Sequence, residues 1–314
     1  MFARRLALSA SPPVPLALAL TGLLACGPAG LGPDQGARGA ADSKAGDPGQ
    51  SGSDTGDGAS GSADLCPPLP ACDAPPPPVG DAVGFRHTGS WIVAHTGFAN
   101  HRGRDLLLLP GDPQTVIGKF AYGVIDKDLE DEDVDVWLLR SCGSDWELVG
   151  TARTTDEDSH APVEGVADGG GRIFFDIPAD RALEPGRHRV HLSVAGDRTG
   201  ADMFIQIAPA GTQVVVSDVD GTLTTSETEE FTALLTGDLP GANPGAPEAL
   251  SALAARGYLP LYLTARPELL VGRTRDFLAT NRFPPGLVHT TTEGLGALGG
   301  AAAISSSCPA IRRP

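Results

Sequence analysis

The chain has 314 residues, a formal net charge of −16, 41 glycines and 28 prolines. This length is enough for two domains, and the glycine and proline content indicates that part of the chain does not pack into a core. Because proteins bind nucleic acid through clustered lysine and arginine, the acidic balance argues against a nucleic-acid partner. It also weakens the case for an anionic lipid headgroup as a substrate.

Residues 1–25 are predicted to be an export signal. Arg4 and Arg5 precede an apolar run, Leu6 to Leu24, which is too short and too often interrupted by proline for a spanning helix. The run ends in Leu-Leu-Ala-Cys, which resembles a bacterial lipobox. This resemblance implies that Cys26 becomes the lipidated first residue of an exported protein, anchored in the cell envelope at the periplasmic or outer surface. A plain signal peptide is the alternative.

Residues 26–84 are rich in Gly, Ser, Asp and Pro, with four consecutive prolines at Pro75–Pro78. Too few large apolar residues are present to offset the entropy of ordering, so a disordered tether is predicted. Besides Cys26 the chain has four cysteines: Cys66, Cys72, Cys142 and Cys308. Cys66 and Cys72 can close a small loop in an exported protein, but four cysteines allow three pairings and the sequence does not choose among them.

Residues 85–211 contain short runs in which apolar and polar residues alternate, as in Arg189 to Val194. The other runs read WIVAH, TVIGKFAYG, DVDVWLL, WELVGTAR, RIFFDI and MFIQIA. Turn residues separate them, and we expect an all-β domain, an antiparallel sandwich of roughly seven strands. The acidic run Asp126 to Asp135 within it is either a Ca²⁺-binding loop or a solvated hairpin connection.

Residues 212–314 change to an alternation of strands and helices. Val214 to Val216 is predicted to be a strand buried on both faces, and strands at Tyr258–Thr264 and Leu287–Thr291 are expected to lie parallel beside it. Helices are predicted at Pro247–Arg256, Pro267–Asn281 and Glu293–Ala303.

Asp218 and Asp220 come at the end of the first of these strands, followed by Gly221. Ligands of open parallel sheets bind at the carboxyl ends of the strands. Two carboxylates and a tight turn at that place predict a site for Mg²⁺ and phosphate, because Mg²⁺ prefers carboxylates, phosphate oxygens and water. An aspartate can also attack phosphorus to form an aspartyl-phosphate.

The D-x-D-G-T pattern at Asp218 to Thr222 resembles the first motif of the haloacid dehalogenase-like (HAD) phosphatases. More narrowly, SDVDGTLTTSE, GYLPLYLTARPELLVGRTRDFL and FPPGLVHTTTEGL together resemble the LNS2-type domain, which is the catalytic domain shared by lipins and the C-terminal region of phosphatidylinositol transfer proteins. The resemblance implies an α/β Rossmann-like fold and an Mg²⁺-dependent phosphatase. Its substrate would be phosphatidic acid or another phosphorylated molecule.

The resemblance also assigns roles to single residues. Asp218 would be the nucleophile and Asp220 the general acid and base, with Mg²⁺ held by Asp218 and by the main-chain carbonyl of Asp220. The backbone around Gly221 and Thr222 and the hydroxyl of Thr264 would bind the phosphoryl oxygens. Arg266 would contact the phosphate or headgroup, or else form a surface salt bridge.

Two parts of the HAD pattern are missing from the sequence. No lysine follows Lys127, and Glu293 is the only acidic residue after Asp276, so neither the usual lysine nor the distal acidic motif is visible. We therefore expect a truncated domain with weak or no activity, and an exposed edge at Val214 to Val216. The alternative function is a non-catalytic surface lipoprotein that binds a ligand or phospholipid through the sandwich and the HAD-like part.

Overall fold

The computed structural model describes residues 69–225 and 239–292. The predicted leader, Cys26, most of the tether and the helix expected at Glu293–Ala303 lie outside these ranges. Within them, no helix is long and apolar enough to cross a membrane.

Thirteen strands are formed by the described residues. In chain order they are β1 (Arg102–Gly103), β2 (Leu106–Leu108), β3 (Thr115–Lys119), β4 (Ala121–Tyr122), β5 (Lys127–Asp128), β6 (Asp133–Leu139), β7 (Trp146–Arg153), β8 (Arg172–Asp176), β9 (Gly186–Val194), β10 (Gly200–Ile207), β11 (Val214–Asp218), β12 (Leu259–Pro267) and β13 (Leu287–Thr291).

Strands β1 to β10 build the predicted β-sandwich. One sheet has the order β2-β10-β9-β6-β7, a second has the order β1-β3-β8, and β4 and β5 form a separate hairpin. Large side chains such as Ile117, Phe120, Leu138, Leu192 and Ile205 are fully buried in one core cluster. The expectation of purely antiparallel pairing is wrong in one place, because β2 runs parallel to β10. These two strands are far apart in the chain, so a hairpin does not dictate their direction.

The run WIVAH is predicted to be a strand, but it lies in helix α1 (Thr88–Thr96). Val93 and Ala94 pack against the sandwich core, whereas Trp91 and Ile92 on the same helix are half-exposed. A short apolar run is compatible with either a strand or a buried helix turn, and the one-sided packing here decides for the helix.

The acidic run between β4 and β6 is held by basic side chains from other elements. Asp126 pairs with Arg102, Asp128 pairs with Lys119, and Asp135 pairs with Arg198. Among residues 69–225 and 239–292, no group of three or more His, Cys, Asp or Glu side chains is placed to hold a metal ion. Ion pairs with the sandwich therefore hold the run in place, which the prediction of a simple solvated connection did not include.

Cys72 forms a disulfide with Cys142, 70 residues away, with 4.5 Å between their Cα atoms. The small Cys66–Cys72 loop considered from the sequence is therefore wrong, because tertiary folding brings Cys142 to Cys72. Cys66 and Cys308 lie outside the described residues. The segment after Cys72 is also held against the sandwich, since Trp146 donates a hydrogen bond to the carbonyl of Pro75. Residues 72–84 are thus attached to the sandwich at several points although most of them are exposed, whereas the sequence predicts a disordered tether.

The C-terminal part contains the expected parallel sheet, with the order β11-β12-β13. Two helices accompany it: α2 (Ala246–Ala254) begins beside Pro247, and α3 (Val271–Thr280) follows a 3₁₀ turn at Glu268–Leu270. The predicted strand at Leu287–Thr291 is confirmed, and β12 extends three residues beyond its predicted end at Thr264.

The parallel sheet is the middle of three layers. On one face Leu261 and Leu287 pack against Leu107 and Phe204 of the sandwich, and on the other Tyr262 packs with α2 and α3. Alternate residues of each strand therefore serve different layers, which explains the continuous apolar runs. The prediction that β11 is buried on both faces is wrong. This strand lies at the edge of the described sheet, and Val216 is 47% exposed.

Buried polar contacts join the sandwich to the parallel sheet. The carboxylate of Asp105, which is fully buried, accepts hydrogen bonds from the backbone N–H of Val288 at 2.9 Å and from Arg275 at 2.6 Å. Glu268 pairs with Arg102 at 3.1 Å and with Arg172 at 2.7 Å. Because a buried charge is costly without its partner, these contacts fix the two parts relative to one another.

Candidate functional site

The site is built on the turn that follows β11. Asp218 ends the strand and is exposed, whereas the next residue, Val219, is completely buried. The backbone of Gly221 has φ +71°, in the left-handed region that glycine occupies without strain. Its N–H donates a hydrogen bond of 2.9 Å to the hydroxyl of Thr224, which is buried. The D-x-D-G-T run thus forms a hydrogen-bonded turn with the exposed Asp218 at its start.

Thr222 completes this turn on the exposed side. Its hydroxyl lies 3.3 Å from the Oδ2 atom of Asp218. Asn243 holds the turn from below by donating hydrogen bonds to the carbonyls of Thr222 at 2.9 Å and Thr224 at 3.1 Å. The predicted residues Asp218, Gly221 and Thr222 are therefore together, and Asn243 is a supporting residue for which the sequence has no signal.

Asp220 is held by the neighbouring strand β12. The Thr264 hydroxyl donates to Oδ2 of Asp220 at 2.6 Å, and Arg266 donates to Oδ1 from Nε at 2.8 Å and from Nη2 at 2.6 Å. The register of β12 against β13 shifts between Leu263 and Pro267, at the place where these two side chains leave the strand. Thr264 and Arg266 are two residues apart and so share a face of the strand.

Arg266 is itself almost fully buried and has a second contact. Its Nη1 atom donates to the hydroxyl of Thr274, on α3, at 3.1 Å. The sequence left open whether Arg266 contacts a phosphate or forms a surface salt bridge. The structure shows an ion pair between the buried Arg266 and the partly exposed Asp220, and the contact with Thr274 ties the site to α3. A phosphate contact of Arg266 stays a prediction.

The contacts of Asp218 and Asp220 decide which of their oxygens are accessible to a metal ion. Both carboxylate oxygens of Asp220 accept hydrogen bonds, so a metal ligand role for that carboxylate would compete with Arg266. The exposed carboxylate of Asp218 and the main-chain carbonyl of Asp220 are the oxygen donors that suit Mg²⁺, which completes its shell with water and substrate oxygens. These donors fit the ion in kind, and Mg²⁺ binding stays a prediction.

The basic residue beside Thr264 in the described part of the chain is an arginine and not a lysine. Of the two lysines there, Lys119 is buried in the sandwich and donates to the carbonyls of Gly169 and Gly170, and Lys127 lies on β5. Arg266 is therefore the cation closest in the chain to Thr264, and its charge is matched by Asp220. The lysine that the HAD resemblance implies is therefore not matched within the described residues.

Both parts of the chain are similar to domains of known proteins. The family model "PITM 1-3, beta-sandwich domain" matches residues 99–207, and "PITM 1-3, LNS2 domain" matches residues 215–297. The amylomaltase of Corynebacterium glutamicum matches with a TM-score of 0.21 at 15% identity, over 51% of this chain and 20% of that one, which is too low to carry an argument.

Three relatives illustrate the likeness. Membrane-associated phosphatidylinositol transfer protein 3 of Mus musculus is 30% identical over 60% of this chain and 18% of its own. Membrane-associated phosphatidylinositol transfer protein 1 of Homo sapiens is 31% identical over 60% and 14%, and Protein retinal degeneration B of Drosophila melanogaster is 31% identical over 63% and 15%. This chain thus spans less than a fifth of the length of these relatives. It carries a β-sandwich domain followed by an LNS2-type domain related to those of the phosphatidylinositol transfer proteins.

Proposed function

We propose that this chain is an Mg²⁺-dependent phosphomonoesterase of the HAD type that acts on phosphatidic acid or another phosphomonoester. The observation that carries the proposal is the exposed carboxylate of Asp218 at the carboxyl end of a parallel strand, beside the turn at Gly221 and Thr222. Asp220 lies two residues on and is fixed by Thr264 and Arg266. This is the arrangement that a nucleophile and a neighbouring acid and base require.

In the first step an oxygen of Asp218 attacks phosphorus, and the bond from phosphorus to the leaving oxygen breaks. The leaving oxygen takes its proton from Asp220 in the protonated form, in which Asp220 is no longer the anionic partner of Arg266, and the alcohol is released. In the second step water attacks the aspartyl-phosphate, Asp220 takes up the proton of that water, and inorganic phosphate leaves Asp218 regenerated.

The other site residues position these groups. The Thr264 hydroxyl and the Arg266 guanidinium hold the two oxygens of Asp220 in a defined direction, and the backbone N–H groups of the turn offer donors to phosphoryl oxygens. Asp218 and the main-chain carbonyl of Asp220 would hold Mg²⁺. When bound, the ion would offset negative charge on the phosphoryl group.

The test is phosphate release by the full-length chain from phosphatidic acid in vesicles and from soluble p-nitrophenyl phosphate, with and without EDTA. Asp218→Asn keeps the size of the side chain but removes the nucleophile, so we expect a loss on the order of 10³-fold or more. Asp276→Asn, at an exposed carboxylate on α3, is the matched control and should retain turnover. Turnover that survives Asp218→Asn would refute the assignment.

A second candidate is a binding protein that holds a phosphomonoester or phospholipid without hydrolysing it. The observation that favours it is the full engagement of the Asp220 carboxylate by Arg266 and Thr264, together with the absence of a nearby lysine from the described residues. This candidate predicts sedimentation with vesicles that contain phosphatidic acid, no phosphate release, and unchanged sedimentation in Asp218→Asn.

We further infer that the chain is exported and anchored by a lipid on Cys26, at the periplasmic or outer surface of the envelope. The disulfide between Cys72 and Cys142 supports export, since disulfides persist mainly in oxidising compartments. Metabolic labelling with a fatty acid should mark the chain, and Cys26→Ser should remove the label. Equal labelling of that variant would exclude the anchor.

A further inference from the structure

An apolar turn protrudes from the sandwich between β4 and β5. Its tip residues, Val124 and Ile125, are 88% and 85% exposed. Turns of this kind ordinarily carry Gly, Asn, Asp or Ser, because these residues are hydrated and accept the backbone conformations of the turn. Gly123 and Asp126, which flank the tip, have positive φ angles as such a turn requires. The two aliphatic side chains between them therefore bury little apolar surface in the folded chain.

The segment whose backbone contacts this turn also carries exposed apolar side chains. The N–H of Gly123 donates to the carbonyl of Phe98 at 2.8 Å, and the Phe98 ring is exposed. Gly97 approaches Gly123 so closely that a Cβ atom there would come within 2.8 Å of the Gly123 nitrogen. Since Gly97 also ends α1, the half-exposed Trp91 and Ile92 stand on the helix that leads into this contact.

We call these five residues, Trp91, Ile92, Phe98, Val124 and Ile125, the apolar tip. Exposed apolar side chains that occur singly are normal on protein surfaces, whereas a group of them commonly marks a binding surface. Tryptophan and phenylalanine beside aliphatic residues are the side chains that enter the boundary between lipid headgroups and acyl chains. The composition of the tip therefore suits a phospholipid bilayer.

The charges around the tip point to the same occupant. Asp126 is neutralised by Arg102, with contacts of 2.7 and 2.6 Å, and Asp128 is neutralised by Lys119. Lys127, between these two acids, is exposed. The local surface therefore offers a cation next to apolar side chains, although the whole chain is acidic. Lysine beside an apolar surface can place its ammonium group among lipid phosphates.

A chain of contacts links the tip to the candidate site. Asp126, at the end of the turn, binds Arg102, and Arg102 binds Glu268 at 3.1 Å. Glu268 directly follows β12, two residues after Arg266, whose guanidinium holds Asp220. Two ion pairs therefore connect the membrane-compatible turn to the strand end that carries the site.

We propose that the apolar tip inserts into the surface of a phospholipid bilayer and docks the LNS2-type domain there. The reason for docking rests on the proposed function, in which the substrate is a membrane lipid, whereas the insertion rests only on the tip and its charges. A lipid on Cys26 would hold the chain near a membrane without orienting it. The tip would supply the orientation.

The test is hydrogen–deuterium exchange of the full-length chain carrying Cys26→Ser, with and without phosphatidylcholine vesicles. We expect residues 121–128 to gain protection when vesicles are added. Val124→Asp combined with Ile125→Asp should reduce that protection about tenfold or more, because the inserted side chains become charged. Leu148→Asp, at a half-exposed leucine on the edge strand β7, is the matched control and should keep the protection.

The outcomes separate the docking from the catalytic proposal. No protection of residues 121–128 by vesicles, or protection that the double variant retains, would overturn the docking. Protection already present without vesicles in a chain that sediments as a dimer would also overturn it, because a second copy would then cover the tip. Vesicle protection without phosphate release from any substrate would uphold the docking and reject the phosphatase. The unchanged core exchange of each variant serves as its folding check.

Discussion

Glu268 is the residue on which the contact between the sandwich and the LNS2-type domain depends most directly. Its side chain is 14% exposed and pairs with Arg172, at 2.7 Å, and Arg102, at 3.1 Å, which are themselves about as deeply buried as core residues. Arg102 retains Asp126 as a second acidic partner, whereas Glu268 is the acid that pairs with Arg172 in the described residues. Glu268→Ala therefore leaves the Arg172 charge buried and uncompensated.

Removing one partner of a buried ion pair costs about 3–5 kcal/mol, most of it from the charge that is left behind. For a folded unit of about 200 residues, each kcal/mol lowers Tm by roughly 2–4 °C. Taking the lower cost, because the group is not wholly buried, we expect Tm to fall by roughly 6–12 °C, from the same two generalisations.

The same contacts predict a pH dependence. Burial raises the pKa of the Glu268 carboxyl, but the charges and hydrogen bonds of Arg172 and Arg102 outweigh burial and hold that pKa below its ordinary value. An unfolded glutamate titrates near pH ~4.3. The stabilisation is therefore complete above that pH and is lost as pH falls through the lower pKa of the folded state. Glu268→Ala should remove this part of the acid sensitivity.

The assay is thermal unfolding of the full-length chain followed by circular dichroism at pH 7 and in the acid range. Glu248→Ala is the matched control, because Glu248 is exposed in the first turn of α2 and interacts mainly with the helix dipole, worth about 0.3–1 kcal/mol. If Glu268→Ala lowers Tm no more than Glu248→Ala does, the ion pairs do not stabilise the interface and the reasoning fails.

Two further predictions concern stability. Burial lowers the pKa of His101 to about 4 despite the nearby carboxylate of Asp197, so the neutral ring contributes stability above pH ~6.5 that is lost as pH falls towards 4, on the order of 3 kcal/mol in all. His101→Gln should flatten the unfolding free energy across that window, and an unaltered slope would contradict the assignment. Replacing Cys72 and Cys142 together by serine should cost roughly 2–4 kcal/mol in denaturant unfolding without reductant, since the bridge closes a long loop. A midpoint equal to that of the unmodified chain would show that the bridge is not formed.

Several local features were predictable from the sequence. The alternating residues of Arg189 to Val194 place them in a strand, and the run at Leu287–Thr291 is a strand with the predicted bounds. Pro247 at the start and Gly257 past the end of a predicted helix frame α2 correctly. These features succeed because each depends on residues that are close together in the chain.

The sequence predicts the residues of the site, but it predicts only some of the contacts between them. Asp218, Gly221 and Thr222 share one turn because they are adjacent in sequence. The ion pair between Asp220 and Arg266 joins residues 46 positions apart, and the sequence points to Arg266 but not to its partner. A sequence pattern indicates a charged residue, but the partner of that residue depends on which strand lies beside it.

The order of a β-rich part and an α/β part, the strand that ends in Asp218 and the turn at Gly221 all follow from local sequence, because periodicity and turn chemistry act over a few residues. The pairing of Cys72 with Cys142 and the helix at WIVAH depend instead on contacts between distant parts of the chain. Tertiary folding also brings Glu268 to the arginines of the sandwich. These outcomes depend on which distant surfaces bury one another, and no local pattern of residues encodes that choice.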